Sequence, residues 1–257
     1  AATGGYYALV KGVPQIDEIK GYSPVHGTKV YADYDTLVSE FKIDKGIYVP
    51  ISKIPEHMIR ALVAVEDSRF WQHKGIDYLA IIRAVVKDAL AGRIKEGAST
   101  LTQQLAKVIF LSPEKTVLRK LKEVILAFRL EKNLTKEEIL ELYLNKVYFG
   151  QGAYGAEMAA KAYFGKSISN VTLSEAALLV GLVKAPNKYS PYNDLDKAKE
   201  RQHVVLRRMQ EEGYITKDEM QRAYEQPLHL SSTRTEMYTQ NYFLDYVRKY
   251  LEDKYGV

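Results

Sequence analysis

The chain has 257 residues, no cysteine, 46% apolar content and a formal net charge of +5, with an isoelectric point near 9.0. That length can bury a substantial core in one large domain or two small lobes. The missing thiols exclude disulfides and zinc-thiolate sites, and no apolar run reaches the roughly 18 residues of a membrane span. The positive balance points to an anionic partner: nucleic acid, membrane headgroups or a phosphorylated substrate.

In chain order, Ala1–Gly5 reads as a trimmed linker with no secretory apolar segment. Lys29–Tyr34 and Gly46–Ile51 read as short strands of a small hairpin, bounded by Gly21, Pro24, Gly27 and Gly46. From Ser52 onward the pattern is helical. Ile59, Leu62 and Val63 form an apolar stripe whose next position is Glu66. A carboxylate facing a core is costly unless paired, and burial raises its proton affinity towards the range useful in catalysis. Asp67, Phe70, His73 and Gly75 follow closely. The stretch reads equally well as a catalytic carboxylate or as a helix-end ion pair, since structural pairs also perturb titration.

Asp77 is placed to cap a helix over Tyr78–Ala91, with Gly92 stopping it. Glu96 to Lys107 then brings a glycine loop and a helix capped by Ser99. Thr100, Gln103, Gln104 and Lys107 share one face of it; Leu101, Leu105, Val108 and Ile109 take the other. A hydroxyl, amide and amine face beside a helix N-terminus suits a sugar and its phosphate, although such stripes are commonly just solvated. Val108-Ile-Phe-Leu111 is too short to span a bilayer but could dip into its boundary between Lys107 and Lys115. Val108 and Ile109 are expected in the core, Phe110 and Leu111 towards lipid.

Arg119, Lys120 and Glu123 share a helix face opposite Leu118, Leu121, Ile125 and Phe128. By itself this is an ordinary surface ion pair worth tenths of a kcal/mol; beside a site it is a cationic cradle for a diphosphate. Capping boxes at Thr135, Thr172 and Thr216 open helices at about 136–147, 173–184 and 217–226, and Gly213 closes another over about 195–212. Ile139, Leu142 and Tyr143 point inward as scaffold, and the Gly- and Ala-rich segment to Ala162 lets helices approach. Pro186 and Pro227 lie past two helix ends. Ser231–Thr235 reads as a polar linker dividing a domain over 1–230 from residues 231–257, where Tyr242 to Tyr250 form an amphipathic helix.

Taken together, these residues resemble the five motifs of the peptidoglycan glycosyltransferases, glycosyltransferase family 51. Glu66-Asp67-x-x-Phe70-x-x-His73-x-Gly75 is similar to the first, Gly97-x-Ser99-Thr100-x-x-Gln103-Gln104 to the second and Arg119-Lys120-x-x-Glu123 to the third. Lys136-x-x-Ile139-Leu140-Glu141-x-Tyr143-Leu144-Asn145 is similar to the fourth, and Ala176 to Pro191 to the fifth. Each alone is modest; five in order over about residues 50–192 are specific. Tyr238–Gly256 resembles the lead into the transpeptidase of class A penicillin-binding proteins. Ser39-x-x-Lys42 and Ser112-x-x-Lys115 occur without any S-x-N or K-T-G, so no covalent penicillin binding is expected from this chain.

The resemblance implies a mainly α, lysozyme-like fold with a large lobe and a small membrane-facing lobe. It implies polymerisation of lipid II into β-1,4-linked glycan strands with inversion and release of undecaprenyl diphosphate. Glu66 is then the general base. Lys120 and Arg119 neutralise the leaving diphosphate, and Glu123 orients them or helps hold a divalent cation, Mg or Mn. Ser99, Thr100, Gln103, Gln104, Lys107, Arg83 and Asp67 bind substrate, while His73 is structural. Direct displacement needs an acceptor sugar between Glu66 and Glu123, so their carboxyls are expected more than about 6 Å apart. The partners implied are lipid II, the growing strand, the membrane surface near Phe110 and Leu111, and a transpeptidase domain in the full-length protein, with no nucleic acid. The site implied is the extracytoplasmic face of the cytoplasmic membrane, with an anchor outside this chain. The alternative is a lysozyme-like hydrolase or lytic transglycosylase, whose sugar leaving group gives no purpose to Arg119 and Lys120.

Overall fold

The computed structural model describes residues 28–32, 36–41, 46–83, 99–110 and 116–232. Two antiparallel strands, β1 (Thr28–Ala32) and β2 (Thr36–Phe41), make the small sheet. The expected second strand at Gly46–Ile51 is not one. Its backbone is held by side chains: Asn145 Oδ1 accepts from the Val49 amide at 2.8 Å, Asn145 Nδ2 donates to the Val49 carbonyl at 2.8 Å, and Glu141 Oε2 accepts from the Ile51 amide at 2.6 Å. With these groups satisfied by a helix, the segment needs no strand partner.

Among the described residues these helices follow: α1 (Glu56–Glu66), α2 (Leu101–Phe110), α3 (Val117–Asn133), α4 (Lys136–Lys146), α5 (Ala156–Phe164), α6 (Leu173–Val183), α7 (Pro186–Tyr189), α8 (Leu195–Glu211) and α9 (Lys217–Glu225). Residues 78–83 are also helical, opened by Asp77 Oδ1 accepting from the Ala80 amide at 3.0 Å. The three capping boxes form as expected: the threonines at 135, 172 and 216 each accept from the amide three residues on, and the glutamate there reaches back. A reciprocal cap satisfies two orphan amides at once, which is why these starts are legible from sequence.

α6 is apolar all round, and Ser174 to Leu182 are all buried, so it forms the centre of one group with α1 and α8 packed on it. A second group packs α3 and α4 on α2. The buried residues of both groups form one continuous core. Glu66 ends α1, so it lies where the two groups meet.

α3 carries apolar residues on both its buried and its exposed sides. Its buried residues are Glu123, Leu126, Ala127 and Leu130. Val117, Leu118, Leu121 and Phe128 are exposed, Val117 by 80%. Val108, expected in the core, is also exposed, whereas Ile109 and Phe110 pack partly buried against the core. Leu111, the helix after 83 to Ala91 and Gly92, and the proposed segment from Tyr238 lie outside the described residues.

Candidate active site

The first motif turns the chain from α1 into α2. The Asp67 carboxylate is buried. One oxygen accepts from the Leu101 amide at 2.9 Å, at the start of α2, and both lie within 3.0 Å of His73 Nε2. His73 Nδ1 accepts from the Gly75 amide at 3.2 Å, so Nε2 carries the hydrogen given to Asp67. Gly75 has φ of +90°, and a Cβ there would sit 3.0 Å from the Ala127 carbonyl oxygen of α3. Only glycine fits that turn against that helix. His73 hydrogen-bonds within the motif loop, as expected. Asp67, expected at the substrate, ties the motif loop to α2.

The second motif is redistributed in the same way. Thr100, not Ser99, caps α2: its Oγ1 accepts from the Gln103 amide at 3.2 Å, while Gln103 Oε1 accepts from the Thr100 amide at 3.0 Å. Thr100 Oγ1 also donates to the Gly75 carbonyl at 2.6 Å. Thr100 and Gln103 are both buried. Two of the four residues of the expected polar face thus form the cap. Lys107 is on the surface, as is Arg83 at the end of the described 78–83 segment. No described contact joins either to Glu66 or Glu123.

What converges is a pair of clusters spaced along the start of α2. In the first, Gln104 Nε2 donates to Glu66 Oε2 at 3.1 Å, and Arg201 Nη2 of α8 lies 3.8 Å from Glu66 Oε1. The Glu66 side chain is 15% exposed, so it is sheltered but reachable. Tyr143 of α4 donates its phenol hydrogen to Gln104 Oε1 at 2.9 Å. Burial, and then the charge of Glu66, push the Tyr143 phenol well above its ordinary value.

In the second cluster, Glu123 is buried and its two oxygens are shared between Arg119 Nη1 and Lys120 Nζ, the latter at 2.8 Å. Lys120 Nζ also donates to Ser99 Oγ at 2.8 Å. Arg119 Nε is buried with no acceptor among the described residues, a spare donor beside a half-exposed ammonium. Ser99 lies just before α2 and Gln104 in its first turn, so the two clusters flank the start of that helix. Each carboxylate keeps its own partners.

A metal held by Glu123 does not fit this arrangement. Both oxygens face cations, and among the described residues no three acidic, histidine or cysteine side chains converge as a metal site.

Two residues of the first cluster are not among the site residues expected from sequence. The helix face of Tyr143 reads as scaffold. Arg201 carries a signal in the sequence: Ala198, Arg201, Gln202, Val205, Leu206 and Met209 are the buried stripe of α8. That is the same signal, a charge on a core-facing stripe, that singles out Glu66. Its close approach is allowed by Gly181 of α6, where a Cβ would lie 3.0 Å from Arg201 Cγ. Arg201 Nε donates weakly to the Gly181 carbonyl at 3.4 Å, and its guanidinium lies over the Tyr189 ring.

The family described as transglycosylase matches residues 34–210. Penicillin-binding protein 1A of Aquifex aeolicus is 46% identical over 248 residues, spanning 96% of this chain and 34% of that protein. Penicillin-binding protein 1A of Escherichia coli is 40% identical over 258 residues, spanning 98% and 30%. The crystal structure of penicillin-binding protein 1A from Haemophilus influenzae shares 27% identity and a TM-score of 0.50, over 89% of this chain and 24% of that one. The chain thus spans about a third of the length of the curated relatives it matches.

Proposed function

Since the chain belongs to the transglycosylase family, glycosyltransferase family 51, we propose that it polymerises lipid II into β-1,4-linked glycan strands during cell-wall synthesis. Glu66 takes the proton from the acceptor's sugar hydroxyl. The freed oxygen bonds to the donor's anomeric carbon with inversion, and the bond from that carbon to the diphosphate breaks. Lys120 and Arg119 take up the charge that develops on the departing diphosphate. Glu123 holds these two cations side by side, and Ser99 fixes the ammonium.

The observation that carries this reading is the pairing of the two clusters through α2. A carboxylate held by Gln104, and two cations on a buried second carboxylate beside Ser99, flank the first turn of α2. A hydrolase releasing a sugar alcohol has no use for the second cluster. Because Glu123 does not fit as a metal ligand, the divalent cation expected here reduces to one bound by the diphosphate's own oxygens.

Incubating the protein with lipid II should give glycan polymer, with and without EDTA, and finished peptidoglycan should remain uncut. Degradation of peptidoglycan without polymer formation would make it a hydrolase. Loss of all activity in EDTA would restore an essential metal.

The exposed apolar side of α3 offers a membrane contact in addition to the one expected near Phe110 and Leu111. Four apolar side chains facing outward from a helix whose other side packs Leu126, Ala127 and Leu130 into the core suit a lipid boundary, where the substrate's tail must lie. Changing Leu118, Leu121 and Phe128 together to serine should reduce liposome binding severalfold. Because these side chains are already exposed, Tm should move by no more than about 4 °C. Unchanged liposome binding, or unfolding of the triple variant, would contradict this placement.

A further inference from the structure

We infer that Tyr143 is a positioning residue for Glu66, acting through the amide of Gln104; this rests on the reading of Glu66 as the base. A glutamine amide has a donating end and an accepting end of nearly the same shape, and its partners decide which end faces the carboxylate. Here the accepting end is taken by the Tyr143 hydroxyl at 2.9 Å, which leaves the donating end for Glu66 Oε2 at 3.1 Å.

Tyr143 is almost fully buried in the shared core, so its ring cannot move aside and its hydroxyl is held at Gln104. The phenol stays protonated beside Glu66 and therefore remains a donor. A Gln104 amide turned about its last bond would set its oxygen against the carboxylate, acceptor against acceptor. The relay thus suits the ionised form of Glu66, the form able to take a proton. Among the described residues, the charged group paired with Glu66 is Arg201, from α8. The neighbouring Asp67 turns away to His73 and the Leu101 amide. No part of the relay needs Tyr143 to touch substrate.

Tyr143→Phe keeps the buried ring and removes only the hydroxyl. Freed from it, the amide samples the turned orientation, and the ionised carboxylate loses a donor. Kinetics with lipid II between about pH 5 and pH 9 should then show kcat lower by roughly tenfold, a small part of what a general base supplies. KM should stay within about twofold. The acid limb of kcat/KM should move up by about half a pH unit to one unit, the scale of one lost charge-assisted hydrogen bond.

Tyr163→Phe is the control. It removes another buried phenol, one that donates to the Phe149 carbonyl at 3.0 Å, and it should cost stability without moving the acid limb. In a Gln104→Met background, Tyr143→Phe should shift the acid limb no further. If Tyr143→Phe does not fold, Gln104→Met carries the test alone, because it removes the same donor and predicts the same shift. An unmoved acid limb in the folded single variant, or a full further shift in the Gln104→Met background, overturns the inference. A polymerising Glu66→Gln variant would instead overturn the reading of Glu66 as the base.

Discussion

Replacing Glu66 with glutamine should lower lipid II polymerisation by about 10²–10⁴-fold, the usual contribution of a general base, while leaving the fold and diphosphate binding intact. The fold should hold because glutamine keeps the size of the side chain and its oxygen can still accept from Gln104 Nε2. The loose pairing with Arg201 at 3.8 Å is lost, but that guanidinium keeps the Gly181 carbonyl and the Tyr189 ring. Diphosphate binding should hold because Arg119, Lys120 and Ser99 make no contact with Glu66 in the described structure. The checks are polymer length and rate on lipid II, thermal denaturation, and binding of a non-reactive diphosphate lipid. Polymerisation within tenfold of the unmodified rate would remove Glu66 from the role.

Replacing Lys120 with alanine should lower kcat/KM by about 10²–10³-fold, the cost of removing one group aimed at developing negative charge. Lys122→Ala should stay within about threefold. The two lysines are close on α3 but face different ways. Lys120 Nζ reaches both Ser99 at the start of α2 and Glu123, whereas Lys122 adjoins Glu123 in sequence and so projects about 100° around the helix from it. The Lys120 ammonium is half-exposed, as a group that must meet a substrate has to be. Its loss also leaves Glu123 buried with Arg119 alone, so thermal denaturation must accompany the kinetics. Equal losses at the two positions would mean that the diphosphate does not lie along this face.

The helix starts at Thr135, Thr172 and Thr216 were legible because a capping box is a local device: both partners lie within four residues, so spacing alone determines it. The same holds for the Asp77 cap and for the Arg119, Lys120 and Glu123 face, which helical geometry brings together whatever else the fold does. Glu66 was legible because it breaks an apolar stripe.

The division of the second motif was not legible. Ser99 and Thr100 are equally able to cap, and which one does so depends on the Gly75 carbonyl and the Asp67 carboxylate arriving from the first motif. Nor was the orientation of α3. Periodicity shows that a helix has two faces, and in water the apolar face turns inward. Here the buried face carries Glu123 with Leu126, Ala127 and Leu130, and Leu118, Leu121 and Phe128 point out.

The sequence by itself thus determined the helix starts, the mainly α class, the five motifs and the two carboxylates. These depend on contacts within a turn or two of chain, where spacing is geometry. Only the tertiary structure decided what holds Glu66. Gln104, Tyr143 and Arg201 come from α2, α4 and α8, far apart along the chain, and their meeting depends on how whole helices pack: on Gly181 letting Arg201 approach α6, and on the buried Tyr143 donating to the Gln104 amide that faces Glu66.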